Sequence, residues 1–357
     1  MNDRTDETVA EAFPVGEYLR DEIDARDWSV GEFARIIGRP VQAVSEILNG
    51  KKAITAETAA EIATATGTEA STWLNLQNRF ALWLQATAQA EKLAAIERRS
   101  LLAGLVPLTE LRKRGLITAG DIGFEEKQVW EALGITSSTQ IPAFVLAARR
   151  SAEAEALSPA QTAWVAFARA KASEAPAQDF DESGLSEIGK NLTRTITSLA
   201  SLSEIPRTFA RVGVRVVYLA PFKSGRLDGA CFTDDRGPVI ALSGRGNAMD
   251  KLLFTLLHET AHVVLGHAQG GVTIDDDIAA GPMDEQEREA DALASTWALR
   301  SPVPSGPRIS RQDVVRCAAA QGVHPAVIVG RLHFDKTVPW AHLNGLVPKV
   351  NDVLVRW

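Results

Sequence analysis

Two histidines and a glutamate stand at metal-binding spacing in the segment His258-Glu259-Thr260-Ala261-His262. Residues four positions apart lie on one face of a helix, so both imidazole rings can reach a single Zn²⁺ ion. Glu259 lies one position round the helix, where its carboxylate can take a proton from a water molecule that the metal activates. The pattern has only three fixed positions, and the alternative is a pair of histidines packed inside a buried helix.

A third metal ligand is available in the acidic segment DEQEREADALASTWAL, which has the pattern of a second helix. Glu287 and Asp291 are four residues apart and share a helical face. We expect Glu287 to complete the zinc site and Asp291 to accept the free N–H of a ligand imidazole, which fixes the tautomer of that ring. Glu289 points roughly the opposite way and is expected to face solvent. A charged helix face alone indicates solvation, but paired with the motif that ends at His262, 25 residues before Glu287, this one favours a zinc site.

His267 follows the motif closely but does not fit another class of zinc peptidase. The metzincin pattern puts a third histidine ten residues after the first and a glycine at seven. Here His267 comes nine residues after His258, and Gly266 comes eight after it. We therefore interpret His267 as a helix-terminal residue that interacts with the last carbonyl groups of the helix.

The segments around the motif predict a small α+β unit. VRVVYLAP is rich in β-branched residues and predicts a strand. LDGACFTDDRGPVIALSG contains two apolar runs around DDRGP and predicts a β-hairpin. The helix that carries the motif is predicted from about Asn247 to Gly266, and the acidic helix follows it.

Residues 14–85 predict five short helices separated by clear start and stop signals. Ser29 and Glu32 have the spacing of a capping box at the start of one helix. Gly38 ends that helix and Pro40 begins the next. Short helices joined by turns of three or four residues are typical of a helix-turn-helix domain, and any small helical bundle is the alternative.

The composition is that of a globular protein with more than one domain. The chain has 357 residues, of which 45% are hydrophobic and 23% charged, and this excludes large-scale disorder. No apolar run is long enough to span a membrane, and the acidic N-terminus lacks the pattern of a secretory signal. Two cysteines, Cys231 and Cys317, cannot build a disulfide framework or a thiolate metal site. We expect a soluble, cytoplasmic protein with no membrane partner.

The net charge of −7 excludes a protein that coats nucleic acid by bulk positive charge. Most of the negative excess lies in residues 1–85, so any DNA contact there requires a local basic patch. Residues 86–205 are rich in alanine, leucine, arginine and glutamate at helical spacing and contain no catalytic pattern. We interpret them as a helical connector.

The segment RPVQAVSEILNGKKAITAETAAEIATATGTEASTWLNLQNRF resembles the XRE-type helix-turn-helix of HigA-like antitoxins. The resemblance implies that residues 40–48 form the recognition helix. Gln42 and Ser45 are then expected to face base edges, where their side chains can donate and accept hydrogen bonds. The basic side chains expected at DNA phosphates are those of Arg39, Lys51 and Lys52.

The C-terminal motifs resemble the ImmA/IrrE family of zinc metallopeptidases. The likeness rests on GVRVVYLAP, FTLLHETAH and EREADALA, with departures at Thr260–Ala261 and Leu293–Ala294 that touch no expected ligand. The resemblance implies a zinc endopeptidase with Zn²⁺ as cofactor, whose relatives relieve gene repression by cleaving a repressor or by regulating a stress response. The expected catalytic residue is Glu259.

Together these patterns predict a multidomain, mainly α-helical chain. A five-helix XRE-type helix-turn-helix DNA-binding domain is expected at 14–85 and a helical connector at 86–205. A small α+β, zincin-like metallopeptidase domain with a C-terminal extension is expected at 206–357. The expected partners are operator DNA, a protein substrate such as a repressor or else a cognate toxin, and a second copy of the chain in a homodimer. The alternative is a HigA-like antitoxin or transcriptional regulator whose zinc site is a sensor or weakly active.

Overall fold

The computed structural model describes residues 12–148, 157–269, 272–275, 285–306 and 308–357. The chain divides into two compact units, Met1–Arg98 and Arg99–Trp357. The division falls within a continuous helix, Ala90–Leu105. The expected domain limits at 85/86 and 205/206 were placed on composition and stay a prediction. Among the described residues, no helix has the length and apolar character that a membrane span requires.

The first unit contains the five helices expected between residues 14 and 85. They are α1 (Val15–Asp24), α2 (Val30–Ile36), α3 (Val41–Leu48), α4 (Ala56–Thr66) and α5 (Ala70–Ala88).

Local signals set the ends of these helices, as the sequence indicates. The Ser29 side chain accepts from the Glu32 backbone N–H while the Glu32 carboxylate reaches back to the Ser29 N–H, so the predicted capping box is present. Gly38 follows α2 with φ of 68°, a left-handed conformation that glycine adopts without strain. Pro40 precedes the first residue of α3. The predicted boundaries are confirmed here.

An apolar core holds the first unit together. Leu19, Phe33, Ala34, Ala59 and Ile62 are completely buried and come from α1, α2 and α4. Each large apolar side chain buried in this way contributes roughly 1.5–3 kcal/mol to the free energy of unfolding. The core lies on the inner face of α3 as well, which leaves the opposite face of that helix exposed.

The second unit begins with helices and then adds a small sheet. Its helices before the sheet are α6 (Ala90–Leu105, shared with the first unit), α7 (Leu108–Lys113), α8 (Ile122–Leu133), α9 (Ala143–Ala148), α10 (Pro159–Glu174), α11 (Glu182–Thr195), α12 (Leu199–Leu202) and α13 (Ile205–Ala210). After the third strand of the sheet come α14 (Met249–Val264), the 3₁₀ turn η1 (His267–Gln269), α15 (Glu285–Ala298), α16 (Arg311–Gln321), α17 (Pro325–Phe334), the 3₁₀ turn η2 (Asn344–Leu346) and α18 (Asn351–Leu354).

The sheet has four strands in the order β1-β3-β2-β4. They are β1 (Arg215–Tyr218), β2 (Gly229–Asp234), β3 (Gly237–Leu242) and β4 (Val272–Asp275). β1 runs parallel to β3, whereas β2 is antiparallel to both β3 and β4. The predicted strand and hairpin are therefore confirmed, and β4 is an addition that the sequence analysis did not predict because its apolar run is so short.

Helix α14 follows β3 and helix α15 follows β4, where the sequence places them. α14 packs on β2 and β3 and also contacts α11, α15 and α17. This layer of helix on a mixed sheet confirms the small α+β unit, and the chain as a whole is multidomain and mainly helical, as expected.

Candidate functional site

The metal motif lies on a stretch of α14 that is buried on every side. Each residue from Leu256 to Val263 is buried. An imidazole or a carboxylate can occupy such a position only if it has polar partners, because an uncompensated polar group costs several kcal/mol. The polar side chains of the motif must therefore be satisfied by one another, by neighbouring elements or by a bound ion.

The structure brings His258, His262 and Glu287 to one point. The two Nε2 atoms lie 2.9 Å apart. One carboxylate oxygen of Glu287 is 3.1 Å from His258 Nε2, and the other is 3.3 Å from His262 Nε2. These potential ligand atoms all lie within 4.8 Å of one another. Glu287 lies on α15, and its carboxylate lies beside the two histidines of α14, as the spacing predicts.

Asp291 determines which nitrogen of His258 faces this point. His258 Nδ1 lies 2.8 Å from Asp291 Oδ1. A carboxylate oxygen accepts hydrogen bonds, so this contact favours the tautomer of His258 that carries its proton on Nδ1, with Nε2 turned towards the other two groups. His258 Nε2 lies beside the Glu287 carboxylate and His262 Nε2. Two imidazole nitrogens and one carboxylate are a donor set that catalytic zinc sites use, and the residues present therefore fit a zinc ion.

Electrostatics keep two of these groups in forms that bind a cation. Burial opposes ionisation of Glu287, but its contacts with His258 and His262 outweigh burial and lower its pKa to about 2. Burial lowers the pKa of His262, because an imidazolium is disfavoured away from water. At neutral pH the pair therefore offers an anion and a neutral ring, which metal binding requires.

Glu259 lies against strand β2, and this contact was not expected from the sequence. Gly229 has no side chain where one would clash: a Cβ there would stand 2.5 Å from Glu259 Oε1. The buried thiol of Cys231, two residues along the same strand, lies near the Glu259 carboxylate. Burial raises the pKa of that thiol, and the nearby Glu259 carboxylate adds to the effect. Glycine inside a strand is a signal of close approach, and it could have identified this contact.

His267 occupies a different environment from the expected one. Gly266, with φ of 78°, turns the chain back after α14. The His267 ring then faces His262, with the two Nδ1 atoms 3.0 Å apart, and its Nε2 is 3.3 Å from Glu289 Oε2. The interpretation of His267 as a partner of the last helical carbonyl groups is therefore wrong. The Glu289 side chain is 55% exposed, as expected, yet one of its oxygens reaches His267.

The side chains expected at DNA lie on or beside α3 in the first unit. Gln42 is exposed, and its amide donates to Glu46. Ser45 is half-buried, and its carbonyl oxygen accepts from Asn49. Lys51 and Lys52 follow the helix and are exposed.

Arg39 is less accessible than the two lysines. Its guanidinium forms an ion pair with Glu61 at 2.7 Å and another with Glu57 at 2.9 Å. The hydrogen bonds that Arg39 donates to both carboxylates raise its pKa above its usual range, so it stays charged. A phosphate would have to compete with two carboxylates for this side chain.

Comparisons with known protein families match two parts of the chain. A helix-turn-helix family model matches residues 19–73. A family model described as IrrE N-terminal-like domain, of the peptidase family M78, matches residues 209–301. The second range contains the motif on α14 and the acidic helix α15.

Individual proteins resemble the N-terminal part. The chain is 34% identical over 83 residues to the uncharacterized HTH-type transcriptional regulator YddM of Escherichia coli K12, which covers 23% of this chain and 83% of that protein. An addiction module antidote protein of the HigA family from Coxiella burnetii is 32% identical, with a TM-score of 0.23, over 24% of this chain and 92% of that one. The Pseudomonas aeruginosa antitoxin HigA, solved with the higBA promoter, is 27% identical, with a TM-score of 0.23, over 23% and 91%.

The match to YddM extends over most of that regulator, and the two family models agree with the element order of the two units. The chain therefore belongs to the XRE-type helix-turn-helix regulators and carries, downstream of that domain, an IrrE N-terminal-like domain of the M78 peptidase family.

Proposed function

We propose that the IrrE-like domain is a zinc-dependent endopeptidase in which His258, His262 and Glu287 hold the metal. The observation that carries this proposal is the convergence of two imidazole nitrogens and one carboxylate on a single point of a buried helix. A zinc ion bound there would polarise the carbonyl group of a peptide bond and lower the pKa of a water molecule.

The chain's own residues supply the proton transfers. Glu259 is next to His258 in the sequence and completely buried, and its carboxylate lies against β2 rather than in solvent. It accepts the proton of the attacking water and then gives a proton to the leaving amine. Asp291 holds the His258 ring by its Nδ1–H, so that Nε2 keeps the orientation needed for ligation.

The decisive experiment separates metal binding from proton transfer. Glu259→Gln removes the base but leaves all three ligands, so zinc content should stay near one per chain. Peptide hydrolysis should fall by roughly 10²–10⁴-fold, the usual contribution of a general base. Glu285→Gln, an exposed acid at the start of α15, is the matched control and should change neither quantity. Unchanged cleavage by zinc-loaded Glu259→Gln would refute the assignment of the base.

We further propose that the helix-turn-helix domain binds operator DNA and makes the protein a transcriptional regulator. The exposed outer face of α3 supports this role, together with the exposed lysines Lys51 and Lys52 that follow the helix. Gln42 and Ser45 would contact bases, and Arg39, Lys51 and Lys52 phosphates. The full chain should bind fragments from upstream of its own gene at low salt, in gel-shift assays, and should prefer one of them.

The two activities suggest a regulator that cleaves a protein partner. We assign DNA binding to residues 14–85 and peptidase activity to residues 206–357, joined by the helical connector 86–205. The protein substrate would be a repressor or another partner in transcriptional or stress-response control, and homodimerisation would suit a palindromic operator.

A second candidate function is that of an antitoxin-like regulator, with a cognate toxin as partner and a zinc site that acts as a sensor. The similarity to an HTH-type transcriptional regulator over the first unit favours the regulatory part of this candidate. Operator affinity measured with zinc, without zinc and in Glu259→Gln distinguishes the two. A sensor makes the affinity depend on zinc but not on Glu259, whereas a peptidase needs Glu259 to cleave a partner and does not require zinc-dependent affinity.

A further inference from the structure

His262 needs an orienting partner as much as His258 does. A neutral imidazole that binds a metal through Nε2 must carry its proton on Nδ1, and that N–H must be accepted by something. For His258 the acceptor is Asp291. For His262, Nδ1 lies 3.0 Å from His267 Nδ1.

Only one arrangement of protons satisfies both rings. If His262 Nδ1 carries a proton, His267 Nδ1 must accept it, and the neutral His267 ring must then carry its own proton on Nε2. That nitrogen lies 3.3 Å from Glu289 Oε2. His262 then donates to His267, and the Nε2–H of His267 faces the Glu289 carboxylate 3.3 Å away.

We propose that His267 is the positioning residue for His262: it accepts the Nδ1–H of His262 and donates its own Nε2–H to Glu289. The proposal deepens the zinc-peptidase function and rests on it. The two candidate ligands are then oriented differently. A carboxylate contacts His258 directly, whereas a carboxylate acts on His262 through an intervening imidazole ring.

Burial supports a positioning role for His267. Its side chain is only 8% exposed, so water is largely excluded as an alternative partner for the ring. The turn at Gly266 and the 3₁₀ turn η1 fix the ring just beyond the end of α14. Glu289, on the outer side of α15, is the last residue of this set of contacts and lies at the protein surface.

The first test measures zinc affinity of the full chain by competition with a chromophoric chelator. Loss of an outer-shell partner typically weakens metal binding by 10- to 100-fold, and we expect a loss in this range for His267→Leu. His267→Asn places an amide oxygen near the position of Nδ1, so it should recover part of the affinity. In Glu289→Ala the change is one contact farther from the metal ligand, so the zinc affinity should fall by less than about tenfold. Glu285→Ala on the same helix and His342→Asn, at an exposed ring elsewhere in the unit, are matched controls and should bind zinc as the wild type does.

The second test detects the protons themselves. Long-range ¹H–¹⁵N spectra of histidine-labelled, zinc-loaded protein should report a proton on Nδ1 of His262 and on Nε2 of His267. In His267→Leu the signals of His262 should shift, while the Nδ1–H of His258 bonded to Asp291 should not. A variant that had merely lost its fold would change both rings.

The outcomes separate this inference from the proposed function. Failure of the wild-type chain to bind zinc would overturn both. Zinc binding by the wild type, with equal affinity in His267→Leu or with the proton of His267 on Nδ1, would overturn only the role of His267.

Discussion

The helix-turn-helix unit and the candidate zinc site place their functional side chains in opposite environments. Gln42, Lys51 and Lys52 are exposed on or after α3. His258 and His262 are completely buried. Exposed side chains act nearly independently and are screened by salt. Buried polar groups share partners, so that removing one leaves the others unsatisfied.

This contrast determines how each region should respond to substitution. In the zinc site, a substitution at one residue should affect the whole cluster, and the effect of a double variant should differ from the sum of the effects of the two single variants. In the first unit, changes should be graded, additive and dependent on ionic strength. The largest effect is expected in the zinc site.

Removing both imidazole ligands should abolish zinc binding. In His258→Ala/His262→Ala only Glu287 remains of the three converging groups. We expect the zinc affinity to fall by much more than the roughly 100-fold upper value seen for outer-shell partners. Elemental analysis of protein purified without added metal should find about one zinc per wild-type chain and none in the variant. Zinc retained at full stoichiometry by the double variant would mean that the metal binds elsewhere.

A single methyl group on β2 should disable Glu259 without removing the metal. In Gly229→Ala the new Cβ would lie 2.5 Å from Glu259 Oε1 and 2.8 Å from Thr255 Cγ2. Displacing a catalytic group by about 1 Å can cost 10²-fold in rate, and overpacking costs about 1–3 kcal/mol of stability. Hydrolysis should therefore fall steeply in peptide-cleavage assays while zinc content is kept.

Gly225→Ala provides the control for this prediction. The nearest atom to a Cβ at Gly225 is Ala160 Cβ at 3.6 Å, an ordinary contact. This variant should hydrolyse peptides as the wild type does. If Gly229→Ala were equally active, the carboxylate of Glu259 would have room to move, and its close packing against β2 would have no catalytic role.

DNA binding should respond in smaller and separable steps. Lys51→Ala should weaken binding to every sequence alike and reduce the slope of log affinity against log salt by about 1, because one phosphate contact is lost. Gln42→Ala should instead reduce discrimination between operator and unrelated DNA, by at most about 1–3 kcal/mol for a bidentate base contact. The double variant should show the sum of both effects in salt-titrated gel shifts. Strong coupling between the two would contradict the independence expected of exposed residues.

Much of the architecture could be predicted because its signals are local. The capping box at Ser29, the glycine after α2 and the hairpin around residues 234–237 each depend on a few neighbouring residues. Spacing also predicts which side chains of the site share a helix face, since residues four apart on a helix lie on the same side. This applies to His258 with His262 and to Glu287 with Asp291.

The rest of the site depends on contacts between distant segments. No periodicity indicates that Gly229 lies against Glu259, that Cys231 lies near the same carboxylate, or that Gly266 returns His267 to His262. The ion pairs of Arg39 with Glu57 and Glu61 likewise join α4 to the start of α3. These contacts require the tertiary structure, because residue type and spacing leave their partners undetermined.

The smallest effect should come from the cap of α2, and it should stay confined to the first unit. Ser29→Ala removes the side-chain acceptor of the Glu32 N–H, which typically costs about 1 kcal/mol of helix stability. A change of that size makes local opening about fivefold more frequent, so amide hydrogen exchange in α2 of the full chain should accelerate by that factor. Ser71→Ala, at an exposed position inside α5, should leave exchange in α2 unchanged. Zinc affinity should be identical in all three proteins, because neither serine lies in the unit that contains the ligands. A loss of zinc binding in Ser29→Ala would show that a local change in the first unit reaches the buried cluster, and the two regions could not then be treated as independent.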